Sequence, residues 1–542
     1  MTEVKRVFMV DGKPFFPIGA QSQTSSAYND SESEQSFKAI KLLHGNTLIT
    51  DVYWEQLEPE EGKFDFTAVD ALLASARRYG VKLILLWFAT WKNANMDYAP
   101  EWVKANPKRF KRAMAADGSD LWVLSSYCKA NLEADKKAFA ALCKHLKAKD
   151  SVEHTVICLQ VENEPAISGT DRDYRPEAQE VWNSPVPAKL MASMKAAGKG
   201  EPYDCWQRAG GKKSGTWPEI FGLAARDMVS AWSIATYIDA VAEAGKAVYN
   251  LPMYINAAVG AFGAWRGPVP DEIFCSGEPV PKVLDIYKWV TPHIDLIAPD
   301  IYTPNSTSYE AECAVYARDD NPLFLPESGH GGCHIWNSFR ALANYNLTGY
   351  FFFGSESIVA EDGSVRPEGK NLVDTFRCAA AVIPLLLKYQ GTGKIYAVVQ
   401  EDYTVQQWIA FDGYLGRIQF GAGRMGGGAS KDWRHSGGQF TPREQAPDTN
   451  RGRGLVFQTS KNEFYLVGAN YRLFLRPKYS PDKKQPLVFH DNNVPGRQFS
   501  IDEGHFDQQG KFVVDRRRNG DNISNGLWVE PDIGVLRVRT CD

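Results

Sequence analysis

No apolar run in the 542 residues approaches the roughly 20 that a membrane-spanning helix needs. The first residues, Met1-Thr2-Glu3-Val4-Lys5-Arg6, carry no apolar core of the kind a secretory leader has. Cysteine is sparse and unpatterned. The nine residues, an odd number, fall at 128, 143, 158, 205, 275, 313, 333, 378 and 541, with no C-x-x-C and no Cys/His ligand spacing. That argues against a disulfide scaffold and a structural zinc site. Reduced thiols lead to the expectation of a cytoplasmic protein, or a secreted or periplasmic one if a leader preceded this stretch. Cys158 and Cys378 lie in apolar segments and read as small buried hydrophobes. Basic blocks are missing too. Lys and Arg total 61 against 65 Asp and Glu, for a formal net charge of -4. The short run Arg516-Arg517-Arg518 sits among Asp and Asn, as a solvated loop would. Neither a nucleic-acid nor a membrane partner is expected. No repeat of solenoid period is visible.

What is present is ordinary for a folded chain too long for one core: 44% hydrophobic and 23% charged residues. Aromatics make up 12%, with 15 Trp, which suits sugar recognition as well as large cores. Residues 7–10 and 14–18 read as a hairpin on the Asp11-Gly12 turn. The second arm runs on into Gly19-Ala20-Gln21 as a first parallel strand. Helical spacing follows at 31–43, a strand at 46–51, a helix at 67–79 and a buried strand at 81–88. A long loop at 89–132 precedes a helix at 132–148 and a fourth strand. Residues 168–217, rich in Gly, Pro, Lys and Asp, read as an irregular insertion, followed by a helix over 217–244. Short strands are expected at 253–256, 296–299, 323–326 and 350–353. Eight strands alternating with helices fit an α/β fold, a (β/α)8 TIM barrel over 1–382 that includes the N-terminal hairpin. From 383 to 542, short runs alternating at period two between Gly/Asn/Asp turns predict a C-terminal antiparallel β-sandwich. The glycine-dense stretch Gly421–Gly428 matches no phosphate loop and reads as a mobile turn.

The fourth strand organises the rest. Val156-Ile157-Cys158-Leu159-Gln160-Val161 is the continuous apolar run of a strand buried on both faces, and it ends in Glu162-Asn163-Glu164-Pro165. Barrel enzymes present chemical groups at the carboxyl ends of their strands in this way. Leu323-Phe324-Leu325-Pro326-Glu327 repeats the logic. If the strand count holds, Glu164 and Glu327 face each other across the barrel mouth. Two carboxyls across an aromatic-rich pocket suit glycosidic bond cleavage, one as proton donor and one as nucleophile.

The motif Gln160-Val161-Glu162-Asn163-Glu164 resembles that of glycoside hydrolase family 35 β-galactosidases. Trp54, Leu57-Glu58-Pro59, Gly62 and Phe64-Asp65-Phe66 are similar to a hallmark shared with family 42, and Pro100-Glu101-Trp102 resembles another family 42 feature. The resemblance, to clan A retaining glycosidases, covers about residues 1–380. It implies a retaining exo-β-galactosidase acting on oligosaccharides, with Glu164 as acid/base, Glu327 as nucleophile, Asn163 on the sugar 2-hydroxyl and Tyr302 bonded to the nucleophile. Leu86-Trp87-Phe88-Ala89-Thr90-Trp91 departs from the family 35 pattern after the third strand, where the sugar subsite is shaped. Another clan A β-glycosidase (β-glucosidase, β-mannosidase or endo-glucanase) and a binding protein with a decayed site are the alternatives.

Further candidates are weaker. Glu162, placed by strand alternation on the same face as Glu164, is either a hydroxyl contact or a charge balance. Trp87 and Trp336 are sugar platforms or core residues, and Glu356 is a substrate contact or a solvated rim. Asn256 is a minor candidate, and Glu58 is expected to support the fold. His330 and His334 read as structural or substrate contacts, not as a metal pair. No cofactor and no metal are expected, the partner is a carbohydrate substrate, and a homo-oligomer is left open.

Overall fold

The computed structural model describes residues 6–259, 276–401, 404, 406–420, 451–478, 498–518 and 526–541. The Gly421–Gly428 stretch lies outside the described residues. The hairpin forms as expected, Phe8–Val10 against Lys13–Phe15, with Asp11 and Gly12 at φ 51° and 72°. Such positive angles are what a tight two-residue turn between twisted strands demands.

Seven strands form one parallel sheet: Ile18–Gln21, Thr47–Tyr53, Lys82–Lys92, Val156–Asn163, Met253–Ala257, Leu296–Pro299 and Tyr350–Phe353. The first six neighbour one another in chain order, and the last lies beside the first. Their apolar runs are buried on both faces, by the barrel interior and by helices including Asp30–Leu42, Thr67–Tyr79, Lys129–Asp150 and Ala225–Val248. The expected strand at 323–326 is not a regular one. The segment 323–328 closes the barrel through two isolated parallel bridges, Ile301 with Ser328 and Leu325 with Tyr350. The Leu325 amide reaches the Gly349 carbonyl at 3.1 Å, and the Phe353 amide reaches the Ser328 carbonyl at 3.0 Å. Pro322 and Pro326 lack the N–H groups that a continuous ladder needs.

Two expected loops hold more structure than the sequence texture suggested. The third strand continues through Trp91 and Lys92, and the chain after it carries a hairpin of Arg112–Met114 and Asp120–Leu124. The insertion at 168–217 folds as three helices, Pro176–Asn183, Ala188–Ala197 and Glu201–Arg208. Its prolines act as helix starts: Pro176 and Pro202 lie in first turns and Pro187 is an N-cap.

After the helix Ile383–Tyr389 all strand pairing is antiparallel among the described residues. A six-stranded sheet runs in the order Ile395–Val399, Arg453–Ser460, Glu463–Ala469, Val535–Thr540, Gln498–Phe506, Phe512–Arg518. A four-stranded sheet of Gln406–Ala410, Tyr414–Phe420, Tyr471–Pro477 and Leu527–Val529 faces it. Period-two alternation divides the six-stranded sheet between two cores. Val456, Leu466 and Val538 point to the four-stranded sheet, while Leu455, Phe457 and Val467 join the barrel's own core. Among the described residues no helix is long and apolar enough to cross a membrane.

Candidate active site

Polar residues gather where the apolar strands end. The fourth strand is buried along its whole length, and its backbone then leaves the extended region, with φ 65° at Glu162 and 42° at Glu164. A side-chain-bearing residue held there costs about 1–3 kcal/mol, so packing and hydrogen bonds must fix the shape. The amide of Glu164 donates to Asn256 Oδ1 at 2.8 Å, and Asn256 Nδ2 donates to Asp300 Oδ2 at 2.6 Å. Asp300 follows the sixth strand directly, and its own amide donates to the Ala257 carbonyl at 2.8 Å.

Glu327 enters from segment 323–328 and is 9% exposed. Tyr302 donates its hydroxyl to Oε1 at 2.5 Å, and Gln21 donates Nε2 to Oε2 at 3.0 Å. Burial first, then the Glu327 charge, push the Tyr302 phenol well above its ordinary value, so it stays a donor. Carboxyl oxygens of Glu164, Asp300 and Glu327 all lie within 4.8 Å of one another. Three acids at that spacing cannot all be anions at low cost. Burial raises the pKa of Asp300 well above the usual carboxylate range, and the Glu327 and Glu164 charges add to it.

A second polar group lies beside this one. Lys92, closing the third strand, donates to Asn163 Oδ1 at 3.0 Å, which leaves the buried Asn163 Nδ2 without a partner among the described residues. Asp51, in the second strand, accepts from the Tyr53 hydroxyl at 3.2 Å. Burial pushes its carboxyl pKa well up, against the opposing charge of Lys92.

The structure thus brings Glu164, Glu327, Asn163 and Tyr302 together, and places the other four candidates elsewhere. Glu162 does not share a face with Glu164, because its left-handed backbone breaks strand alternation. Its side chain turns toward the outer helices, where Oε2 accepts from the Trp91 amide at 2.7 Å and its carboxyl hydrogen-bonds Asp135. Trp87 also faces outward: Nε1 donates to Asp135 Oδ1 at 2.9 Å and the ring packs on Phe139. Trp336, only 1% exposed, packs into the hydrophobic core. It lies under the Arg451 guanidinium, on a helix packed against strands Ile395–Val399 and Arg453–Ser460. The Glu356 carboxylate is taken up by the Gln23 amide at 3.1 Å and the Ser36 hydroxyl at 2.5 Å, bracing the last barrel loop to the helix Asp30–Leu42. Glu58 accepts from the Gly62 amide and the Trp54 indole, a supporting role. Sequence reasoning missed Gln21, Asp51, Lys92 and Asp300 and gave Asn256 little weight. Their signal was the one that found Glu164, a polar residue at the carboxyl end of an apolar strand.

Residues 26–198 match the glycoside hydrolase family 42 model, described as Beta-galactosidase. That span includes Asp51, Lys92, Asn163 and Glu164 and stops short of Glu327. Residues 372–530 match a model described as Domain of unknown function (DUF5597). The resemblance to β-galactosidases therefore holds on its family 42 features, and family 35 in particular is not singled out. No curated protein matches the chain. Among solved structures, a cold-adapted β-galactosidase from Rahnella sp. R3 aligns at 14% identity over 72% of this chain and 58% of that one, with a TM-score of 0.48. The catalytic domain of a β-amylase from Paenibacillus polymyxa aligns at 12% identity over 65% of this chain and 95% of that one, with a TM-score of 0.46. The exo-β-1,4-mannosidase Op5Man5 from Opitutaceae bacterium strain TAV5 aligns at 15% identity over 70% of this chain and 62% of that one, with a TM-score of 0.42. The chain thus spans about three fifths of the Rahnella and Opitutaceae proteins.

Proposed function

We propose that the chain is a retaining exo-β-galactosidase that removes terminal β-galactosyl residues from oligosaccharides by double displacement. One observation carries the reading. Glu164 and Glu327 converge from the fourth and seventh staves with carboxyl oxygens no more than 4.8 Å apart. That spacing suits direct attack by a carboxylate, whereas inversion needs room for a water between the acids.

In the first displacement a Glu327 oxygen bonds to the anomeric carbon as the bond from that carbon to the glycosidic oxygen breaks. Glu164 gives its proton to the departing oxygen. In the second, the Glu164 carboxylate takes a proton from water, the water oxygen bonds to the anomeric carbon, and Glu327 departs as a carboxylate. Tyr302 and Gln21 hold both Glu327 oxygens in place for attack. Asn163, its carbonyl pinned by Lys92, offers Nδ2 to the sugar 2-hydroxyl. Galactose as the sugar and cleavage at chain ends rest on the family model match and on the Gln160–Glu164 motif.

Three measurements test this. A panel of nitrophenyl glycosides should give the highest kcat/KM with the β-galactoside, and a preference for β-glucoside or β-mannoside would reassign the sugar. Proton NMR of the first product should show the β-anomer, and α-anomer appearing first would rule out double displacement. A chelator should leave the rate unchanged. Loss of rate, restored by one added ion, would assign the three carboxyls to a cation instead.

A further inference from the structure

Asp300 is the third acid of the cluster, and the mechanism above gives it no task. Its surroundings fix one of its oxygens and leave the other open. The Glu164 amide can only donate, so Asn256 must turn its carbonyl there and its NH2 to Asp300 Oδ2. Oδ2 is therefore an acceptor. Oδ1 is buried and has no hydrogen-bond partner among the described residues. The charges and phenols that act most strongly on Asp300 or feel it most strongly include Glu164, Glu327, Glu278, Tyr254, Tyr302 and Tyr316, all of them acids.

Glu327 has two donors aimed at it, Tyr302 and Gln21, whereas Asp300 has one neutral donor. Of the two, Glu327 is thus built to be the anion and Asp300 to be neutral. We propose that Asp300 keeps a proton on Oδ1 throughout turnover and acts as a positioning residue, offering that O–H to the Glu164 carboxylate formed when Glu164 has given up its own proton. No proton changes hands in this role. Asn256 sets the geometry by holding the Glu164 backbone with one end of its amide and Asp300 with the other. The inference rests on the reading of Glu164 as acid/base.

The amide of Asp300→Asn mimics the proposed neutral acid, with its oxygen to Asn256 and its NH2 toward Glu164. Removing a real negative charge within 4.8 Å would instead lower the limbs of the pH–rate profile by roughly 2 units or more at an effective dielectric constant of about 20. The expected result is that D300N loses at most about tenfold in kcat with KM held and both limbs within about half a unit of wild type. D300A should lose about 100-fold in kcat, because a hydrogen bond to a charged group is gone. Limbs displaced by about 2 units in D300N would overturn the proposal.

An infrared difference spectrum of wild type minus D300N gives a readout that needs no turnover. It should show the carbonyl band of a protonated carboxyl at pH 7, and absence of that band would also overturn the proposal. D300L, apolar and of similar volume, replaces D300N in this measurement if the amide variant does not fold. A protein inactive on every glycoside but showing the band would sink the functional reading and leave the protonated Asp300 standing.

Discussion

Glu327 has each of its oxygens occupied by a different donor, and the two are not equivalent. The Tyr302 contact is the shorter, and its hydroxyl comes from the chain just after the sixth strand. A hydrogen bond to a charged group is worth about 1.5–3 kcal/mol, so Tyr302→Phe should lower kcat by roughly 10- to 100-fold with KM little changed. Steady-state kinetics on a nitrophenyl galactoside checks this, and a variant altered only in KM would mean that Tyr302 binds sugar instead of orienting the nucleophile. Glu164 is tested by leaving group. In Glu164→Ala, a dinitrophenyl glycoside, which departs without a proton, should nearly keep its first step. A lactose-like substrate should lose about 10²–10⁴ in rate. Equal losses on both would move the proton donor elsewhere, and Asp300, not Glu162, is then the remaining carboxyl of the cluster.

At the scale of the element, the fourth strand shows both what sequence reading reaches and where it stops. Its burial on both faces and its polar end were legible from residues 156–164 alone, because composition alone distinguishes a doubly covered strand. The direction of Glu162 was not. Alternation holds only while the backbone stays extended, and no residue type announced a left-handed turn at a glutamate. The consequence is a buried acid pair behind the site. Burial first, then the Asp135 charge, raise the Glu162 pKa well above its ordinary value, and burial likewise raises Asp135. The folded state therefore keeps protons that the unfolded chain releases above about pH 4. Stability from the pair is full below that range and is lost as pH climbs toward the folded pKa values. Glu162→Gln, whose amide can accept from the Trp91 amide and donate to Asp135, removes one titrating group. Its melting temperature should fall less than that of wild type between pH 5 and pH 9. Parallel curves from thermal melts would show that the pair does not couple to folding. The 323–328 stave was legible as apolar chain ending in Glu327, but its flanking prolines were not weighed against a regular ladder.

Across the whole molecule the change from parallel to antiparallel pairing was legible in period-two runs, but the attachment between the two layers was not. Trp336, read as a sugar platform, anchors a barrel helix beneath the C-terminal strands, because a tryptophan's contacts depend on packing that no local pattern encodes. Ile395, Leu455, Phe457, Tyr465, Val467 and Val535 enter the same core as the barrel residues. At about 1.5–3 kcal/mol for each fully buried apolar side chain, their removal costs on the order of 10 kcal/mol, comparable with the net stability of a typical domain. A fragment ending near residue 390 should therefore be insoluble or fail to give a cooperative melt, while the full chain unfolds in one transition. A soluble fragment with a sharp melt and full activity would show that the shared core is dispensable.

Segment 323–328 is joined to its neighbours by isolated bridges, whereas the other seven staves pair with one another as strands of one sheet. The oxygen proposed to attack thus rides on the least cross-braced part of the wall, and opening there costs less than melting the whole. Warming should disarm the protein while its circular dichroism is still native, with the amides of Leu325, Glu327 and Ser328 exchanging with solvent before those of 156–163. Its working ceiling would then be set by one seam, not by the fold, and tightening that seam would raise the temperature of inactivation without moving the melt.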